Sequence, residues 1–316
     1  MISKRNVLVI VNPCSGRRLA RKRKSYVLYQ LKKACEHLRI VETSCKGDAI
    51  DLVQKIYKEE PYEYLIGMGG DGTNNEIVNG LMALDNEERQ KIHYALLPCG
   101  TGNDWSRGHD IPLNAASWWK MWLAADSRKH DMGMVRFYDL KGQTERYFVN
   151  VAGLAYDAYL VRKLEEGFMP KKNKLVYLAI LLRCLITYKL HHAKVRSNDG
   201  FDLKSKFYTL NVGVNRFAGG GMEIVPNANP FDGKLSFSAA KDLKKYQVVW
   251  EIRRFYNGTY LEHPKVEHFD SEGIDIENLS TGRSLGLEVD GEYVGTAPCT
   301  FVSVPAAIRV ILPKGR

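Results

Sequence analysis

The stretch Tyr64–Gly80, YLIGMGGDGTNNEIVNG, limits what this chain can fold into more than any other. Apolar residues run into a cluster of glycines around one carboxylate, Asp71. Ile77, Val78, Leu81 and Met82 then recur at helical spacing. A buried strand, a bare turn and a helix in that order make one unit of an α/β sheet. The same alternation continues on both sides. NVLVIV (6–11) predicts a strand, and Leu28, Leu31, Cys35 and Leu38 predict a helix over 18–38. RIVETS predicts a second strand, and Ala49, Leu52, Val53, Ile56 and Tyr57 a second helix. HYALLP (93–98) predicts a fourth strand, with a helix near AASWWKMWLAA. Strands that are apolar throughout, each followed by a helix, imply a parallel sheet covered on both faces.

Ligands bind such a sheet at the carboxyl ends of its strands. NPCSG (12–16), GMGGDGT (67–73) and PCGTGND (98–104) all fall there. Gly67, Gly69 and Gly72 also fit the dinucleotide fingerprint G-x-G-x-x-G, but that fingerprint wants an acid at the end of the next strand, and LLPCG has none. No G-x-x-x-x-G-K-[ST] phosphate loop occurs. The loop still has the chemistry of a phosphate site. Gly69, Gly70 and Gly72 are expected to permit positive φ and close approach of a ligand. Their N–H groups and the helix start form an anion site, and Thr73 can cap the helix and donate to a phosphate oxygen. A carboxylate here repels phosphate unless a cation bridges them, so Asp71 implies Mg²⁺. Asn12, Ser15 and Gly16 in the first loop, with Thr101, Asn103 and Asp104 in the third, face the same edge.

From about Asp131 the pattern changes to strand-like runs: RYFVNVAGL, HAKVRS, KFYTLNVGV, GKLSFSAA, SLGLEVDGEYVG and FVSVPAAIRVILP. Helical stretches at 174–190 and 243–257 interrupt them. A second, mainly antiparallel β domain is expected, with the boundary near ADSRKHD (125–131). Two domains also suit 316 residues. Lys plus Arg outnumber Asp plus Glu by 46 to 36, a net charge of +10 that favours an anionic partner. The six cysteines are scattered without C-x-x-C spacing, and no signal peptide precedes MISKRNVLVIVNP, so reduced thiols in a cytoplasmic protein are expected. No apolar run reaches the ~18–20 residues of a membrane span. RRLARKRK (17–24) is basic, yet no zinc spacing, RNP string or aromatic–basic interleaving accompanies it, which argues against a nucleic-acid module.

Taken in order, VNPCSG, TSCKGDA (43–49), GGDGTNNEIVNG and PCGTGNDWSR resemble the motifs of the diacylglycerol kinase catalytic-domain superfamily, which includes bacterial soluble lipid kinases and the sphingosine and ceramide kinases. VNVAGLAYDA (149–158), VPNANPFDGKLSF (225–237) and LEVDGEYVG (287–295) resemble its second-domain motifs. The resemblance implies a NAD-kinase-like α/β domain over 1–127 and a β-rich lipid-substrate domain over 128–305. It also implies an interdomain cleft for the acceptor and a C-terminal strand, about 306–316, returning to the first domain. It implies ATP and Mg²⁺. Gly69 through Glu76, with Asn75 among them, would bind phosphates, and Thr43 and Thr101 would contact ATP. Asp71 and Asp104 would serve the metal. Asp290 would be the general base, with Glu292 and Asp71 as alternatives. NPFDGK resembles a structural metal site, with Asp232 offering a side chain and Asn229 and Lys234 their carbonyls. Asp157 resembles a lipid-headgroup acid, although an acid at a helix N-terminus is the alternative. Gly102 departs from the alanine often found there in bacterial relatives.

The expected activity is therefore transfer of the ATP γ-phosphoryl group to a hydroxyl of a membrane lipid, diacylglycerol first. A sphingoid base, ceramide or another lipid alcohol is the next choice. A kinase of a soluble substrate and a non-catalytic nucleotide- or lipid-binding regulator are the alternatives from other classes. The expected partners are the lipid and an anionic membrane surface, touched peripherally by Lys171, Lys172, Lys174 and the basic run Arg17, Arg18, Arg21, Lys22, Arg23 and Lys24. A homodimer stays open.

Overall fold

A computed structural model describes residues 5–16, 18–124, 126–139, 142–166, 183–251 and 253–314. The chain divides into two compact units. The first comprises Met1–Met132, Gly219–Gly221 and Val304–Arg316, and the second Gly133–Ala218 and Met222–Ser303.

In the first unit β1 (Asn6–Val11), α1 (Arg18–Ala34), β2 (His37–Glu42), α2 (Asp48–Glu59), β3 (Tyr64–Gly69) and α3 (Asp71–Met82) follow in turn. The short α4 (Asn86–Arg89), β4 (His93–Pro98), α5 (Asp104–Gly108) and α6 (Ala115–Ala124) complete the alternation. The sheet order is β2-β1-β3-β4, every pair parallel. All six residues of β3 are buried, as a strand covered on both faces requires. Residues 309 and 310, at the chain's end, add a further parallel strand beside β4. The amide of Ala306 donates to Asp131 at 2.7 Å, and Arg89 donates to the carbonyl of Ala307 at 2.8 Å, which anchors this return.

The predicted helix over 18–38 is overturned at its C-terminal end. α1 stops at Ala34, and Leu38 already belongs to β2. Its buried stripe is Ala20, Lys24, Val27 and Leu31, so the inward face is one residue away from Leu28. Cys35 and Leu38 keep the helical phase by coincidence. The strand beside β1 needs its first residue at His37, paired with Asn6.

The second unit is antiparallel. β5 (Ser127–Asp139) crosses the expected boundary segment and pairs with β6 (Gly142–Phe148). Then come β7 (Val151–Ala155), α7 (Tyr156–Glu165), β8 (His191–Ser197), β9 (Asp202–Gly213), the two-residue β10 (Phe217–Ala218) and β11 (Met222–Glu223), and β12 (Leu235–Lys241). After α8 (Lys245–Glu251) and α9 (Arg254–Asn257) come β13 (Val266–Ser271), β14 (Gly273–Asn278), β15 (Gly286–Val289) and β16 (Glu292–Ile311). The pairing β9–β7–β15–β16–β14–β8–β9 closes into a ring, each step antiparallel. Two long strands make this closure possible. β9 pairs with β8 through Asp202–Phe207 and with β7 through Thr209–Gly213. β16 pairs with β15 and then, from Cys299, with β14. The enclosed core holds Phe148, Phe207, Phe237, Phe301, Leu210 and Ile276, all at most 1% exposed.

Three expectations change here. RYFVNVAGL is two strands, broken at Val149–Asn150. The helix over 243–257 is two short ones, and α7 is an additional helix. Of the stretch 174–190, residues 183–187 are helical, while 174–182, Lys171 and Lys172 lie outside the described residues, as does Arg17.

Candidate active site

The strand order 2-1-3-4 reverses direction between β1 and β3, so the loops that leave these strands flank the crevice where open α/β sheets take ligands. Gly16 has φ 81°, and a Cβ there would sit 2.2 Å from the carbonyl oxygen of Cys99. A Cβ on Gly70 would lie 2.9 Å from Cα of Gly100. The first and third loops, and the second and third, thus meet backbone on backbone. This corrects the expected role of Gly69, Gly70 and Gly72: none has positive φ. Gly69 leaves room for Thr73, whose side chain a Cβ would meet at 2.3 Å, and Gly70 leaves room for the neighbouring loop. A Cβ on Gly72 would meet nothing within 4 Å, so this position at the start of α3 is open.

Most of the polar residues in these loops fix the loops themselves. Asn12 accepts from the amides of Cys14 and Ser15 through Oδ1 and donates from Nδ2 to Thr73 Oγ1 at 3.0 Å. Ser15 Oγ returns to the carbonyl of Asn12. Thr73 does not cap α3. The N-cap position is Gly70, without a side-chain cap. Asn103 uses both ends of its amide on Gly100, at 2.9 and 3.0 Å, and takes φ 52°. Glu76 accepts from the amides of Gly47 and Ala49, so it satisfies the start of α2. Asn75 is buried and bonded to Asn79 one turn on. Thr43 is buried with its amide on Val11, and Thr101 is exposed at the rim.

Two cations that the sequence placed on a solvated or membrane-facing run turn inward instead. Lys24 is 7% exposed and donates to the carbonyls of Asn12 and Ser15. Arg23 donates to the carbonyl of Pro98. Lys24 lies three residues before Val27 and seven before Leu31, and that helical spacing was the available signal for an inward side chain. Burial lowers its pKa.

The acids converge. A Cβ on Gly102 would be 3.2 Å from Asp71 Oδ2 and 3.4 Å from Asp104 Oδ2, so both carboxylates border the bare face of this glycine. Asp71 Oδ1 accepts from the amide of Trp105 at 3.2 Å, and Asp104 Oδ2 from that of Gly220 at 2.8 Å. Burial raises the Asp104 carboxyl. Arg107 lies 4.0 Å from Asp104 Oδ1, a buried oxygen that accepts no hydrogen bond among the described residues. Two carboxylates drawn together around such an oxygen fit a divalent cation. Among the described residues no three His, Cys, Asp or Glu cluster as a metal cage.

In the second unit, the break in RYFVNVAGL has a use. The freed amides of Val149 and Asn150 donate to Asp290 Oδ2 and Oδ1, both at 3.0 Å. Asp290 sits at φ 48° in the turn between β15 and β16 and is fixed by both oxygens. Glu292 pairs with Arg146 at 3.2 Å. Beneath the turn lies Glu288, 6% exposed, bonded by the amide of Gly291 at 2.7 Å. Its pKa is raised well above the ordinary value by burial and by the neighbouring Asp157 and Asp290 charges. Asp157, in the first turn of α7, accepts from the hydroxyl of Thr209, which in turn accepts from Asn211. Burial pushes the Asp157 carboxyl up to about 6. Sequence reasoning missed Glu288, although an acid in an apolar strand was its visible sign. Asn229, Asp232 and Lys234 are exposed, and Asp232 closes a turn on the amide of Lys234 at 3.0 Å.

Comparison with known proteins agrees with both halves. Residues 6–135 match the model of the diacylglycerol kinase catalytic domain, and 150–312 that of the YegS C-terminal NAD kinase beta sandwich-like domain. A diacylglycerol kinase of Bacillus subtilis (strain 168) is 27% identical over 306 residues, 97% of this chain and 96% of its own. The fold is also that of a crystal structure of a diacylglycerol kinase from Bacillus anthracis, at TM-score 0.72, 22% identity, and 98% and 97% coverage. Yeast NADH kinase, at 9% identity, superposes with TM-score 0.53 over 98% of this chain and 84% of its own.

Proposed function

The chain belongs to the family of the diacylglycerol kinase catalytic domain, and from that premise we propose that it is an ATP- and Mg²⁺-dependent kinase that phosphorylates a hydroxyl of a membrane lipid, diacylglycerol first. The observation that carries the reading is the convergence of Asp71 and Asp104 at Gly102, beside three loops closed through glycine. The loops and the start of α3 offer N–H groups to the ATP phosphates. Asp71 and Asp104 would hold Mg²⁺, which neutralises phosphate charge when bound. Asp290, fixed by two amides, takes the proton of the acceptor hydroxyl, a contribution of about 10²–10⁴-fold for a positioned base. Glu292 is less suited because Arg146 holds it.

Diacylglycerol is favoured over a sphingoid base by the state of Asp157. An acid that binds an ammonium group needs to face its ligand, whereas the half-buried Asp157 is bonded to Thr209 within the second unit. Peripheral attachment to an anionic bilayer belongs to the same reading. Among the described residues no helix is long and apolar enough to cross a membrane.

The test is transfer from radiolabelled ATP, with Mg²⁺, to mixed micelles of diacylglycerol, monoacylglycerol, sphingosine or ceramide, with a lipid-free control. Labelled phosphatidic acid is expected, reduced about a hundredfold or more in Asp71→Asn. Label only in a soluble acceptor, or wild-type rates in Asp71→Asn, would overturn the reading.

A further inference from the structure

Four large side chains of the second unit stand out into solvent: Trp250 at 71% exposure, Tyr246 at 68%, Ile186 at 67% and Tyr256 at 62%. They are neighbours. Tyr246 and Trp250 are four residues apart on α8 and therefore share a face, and Tyr256 follows on α9. Lys245 donates to the carbonyl of Ile186, which ties the helical residues 183–187 to α8. The opposite faces of these elements are anchored: Cys184 and Leu185 are buried, and Val248 and Phe255 pack against the main core. Folding therefore holds the four exposed residues outward on a supported platform.

Basic side chains predominate on the platform itself. Lys244, Lys245, Arg253 and Arg254 lie between 244 and 257, where Glu251 is the only acid. Arg254 pairs with Glu251 and with Glu262, which leaves Lys244, Lys245 and Arg253 as the basic excess. The Arg253 guanidinium lies 5.7 Å from the Trp250 ring. Trp and Tyr have an apolar body and a polar tip and collect at the level of lipid headgroups. Basic side chains beside them gain about 1 kcal/mol each near an anionic leaflet. A protein partner could use the aromatic residues but gives no reason for the excess of Lys244, Lys245 and Arg253 beside them.

We propose that the α8–α9 platform, led by Trp250 and Tyr246, is the surface by which the protein docks on an anionic phospholipid bilayer. This deepens the lipid-kinase reading and rests on it, while its test needs no ATP. The full chain is mixed with vesicles of phosphatidylcholine alone, or with about one-third phosphatidylglycerol, and binding is read by flotation. Tryptophan emission is then followed with lipids brominated on the acyl chains. The expected result is binding to the anionic vesicles with partial quenching. Trp250→Phe should lose the quenching and still bind. Tyr246→Ser with Trp250→Ser should lower partitioning at least about tenfold. Trp105, Trp118 and Trp122 are buried, so their emission reports that each variant is folded. Quenching that survives in Trp250→Phe, or unchanged partitioning of the double variant, would overturn the proposal. So would a dimer that dissociates in the double variant while vesicle binding persists. Phosphoryl transfer to short-chain diacylglycerol below its micellar concentration separates the two readings. If transfer is absent there but docking is intact, the kinase assignment fails and the surface stands.

Discussion

Replacing Asp157 by Asn should stabilise the second unit at alkaline pH. The half-buried residue lies beside Glu288 across Gly153, and desolvation takes its carboxyl pKa from the ordinary 3.8 to about 6. At 1.36 kcal/mol per decade of proton affinity, that rise corresponds to about 3 kcal/mol. The sign follows from proton counting. Between pH 4 and 6 the unfolded chain has released this proton and the folded chain has not, so stability falls as pH rises through the window. Below it the cost is absent, and above it the cost is complete. The two-state titration gives about half of that penalty at pH 5 and all of it at pH 8. Asparagine carries no such penalty. It keeps an oxygen for the Thr209 hydroxyl but exchanges a charge-assisted bond for a neutral one, a loss of about 1 kcal/mol. The other groups facing the site are Tyr188, Tyr208 and Tyr260, whose pKa values burial raises, and Glu288. Removing the Asp157 charge eases ionisation of Glu288, which acts in the same direction. Urea unfolding of wild type and Asp157→Asn at pH 5 and pH 8, followed by near-ultraviolet dichroism of the tyrosine cluster, measures the difference. Relative to wild type, the variant should gain about 1–2 kcal/mol between the two pH values. A stability difference that is flat with pH would refute the reasoning.

Three further outcomes test the site and its support. Lys24→Met should weaken ATP binding about tenfold or more by removing the charge-assisted bonds that hold the Asn12–Ser15 loop, with partial recovery in Lys24→Arg; calorimetric titration measures both, and an unchanged Kd counts against loop control by this lysine. Gly16→Ala should cost about 1–2 kcal/mol for left-handed backbone alone, and more because its Cβ would meet the Cys99 carbonyl; loss of ATP affinity with unaltered unfolding of the second unit is expected, read by titration and differential scanning calorimetry. Gly133→Ala places a Cβ 2.0 Å from the Phe148 ring and should destabilise the second unit by about 1–3 kcal/mol, a cost that Phe148→Leu in the same chain should partly relieve in urea titrations.

The parallel sheet was legible because each of its strands is a contiguous apolar run with its helix beside it in sequence. β3, the glycine loop and α3 were read with little error, since strand, turn and helix signals adjoin. Long-range pairing was not legible. Nothing local in Asp202–Gly213 says that one half pairs with β8 and the other with β7, or that the ring closes through β16. The interruption at Val149–Asn150 was hidden for the same reason, because its cause is a carboxylate 140 residues away. In the site, the sequence located the loops but not the bonds their residues make to one another. Glycine composition cannot distinguish positive φ from close approach, and Gly70 is the second kind. Glu76, Asn103 and Asn12 read as ligand-facing, yet each answers a backbone group left without a partner by the turn that the glycines create. Lys24 read as a surface charge because six basic residues adjoin in sequence, while the helix turns one of them inward.

The meeting of Gly16 with Cys99, and of Gly70 with Gly100, has a consequence for selectivity. A floor built from peptide groups offers N–H donors to phosphate, which every nucleotide carries, and so binds the part that all nucleotides share. Under the kinase reading, side chains further along the sheet edge, such as Thr43 and Thr101, would supply the discrimination between bases. Substitution there can retune the preferred nucleotide without touching the floor, whereas at the three contact glycines, Gly16, Gly70 and Gly100, any side chain meets the neighbouring loop before it can select anything.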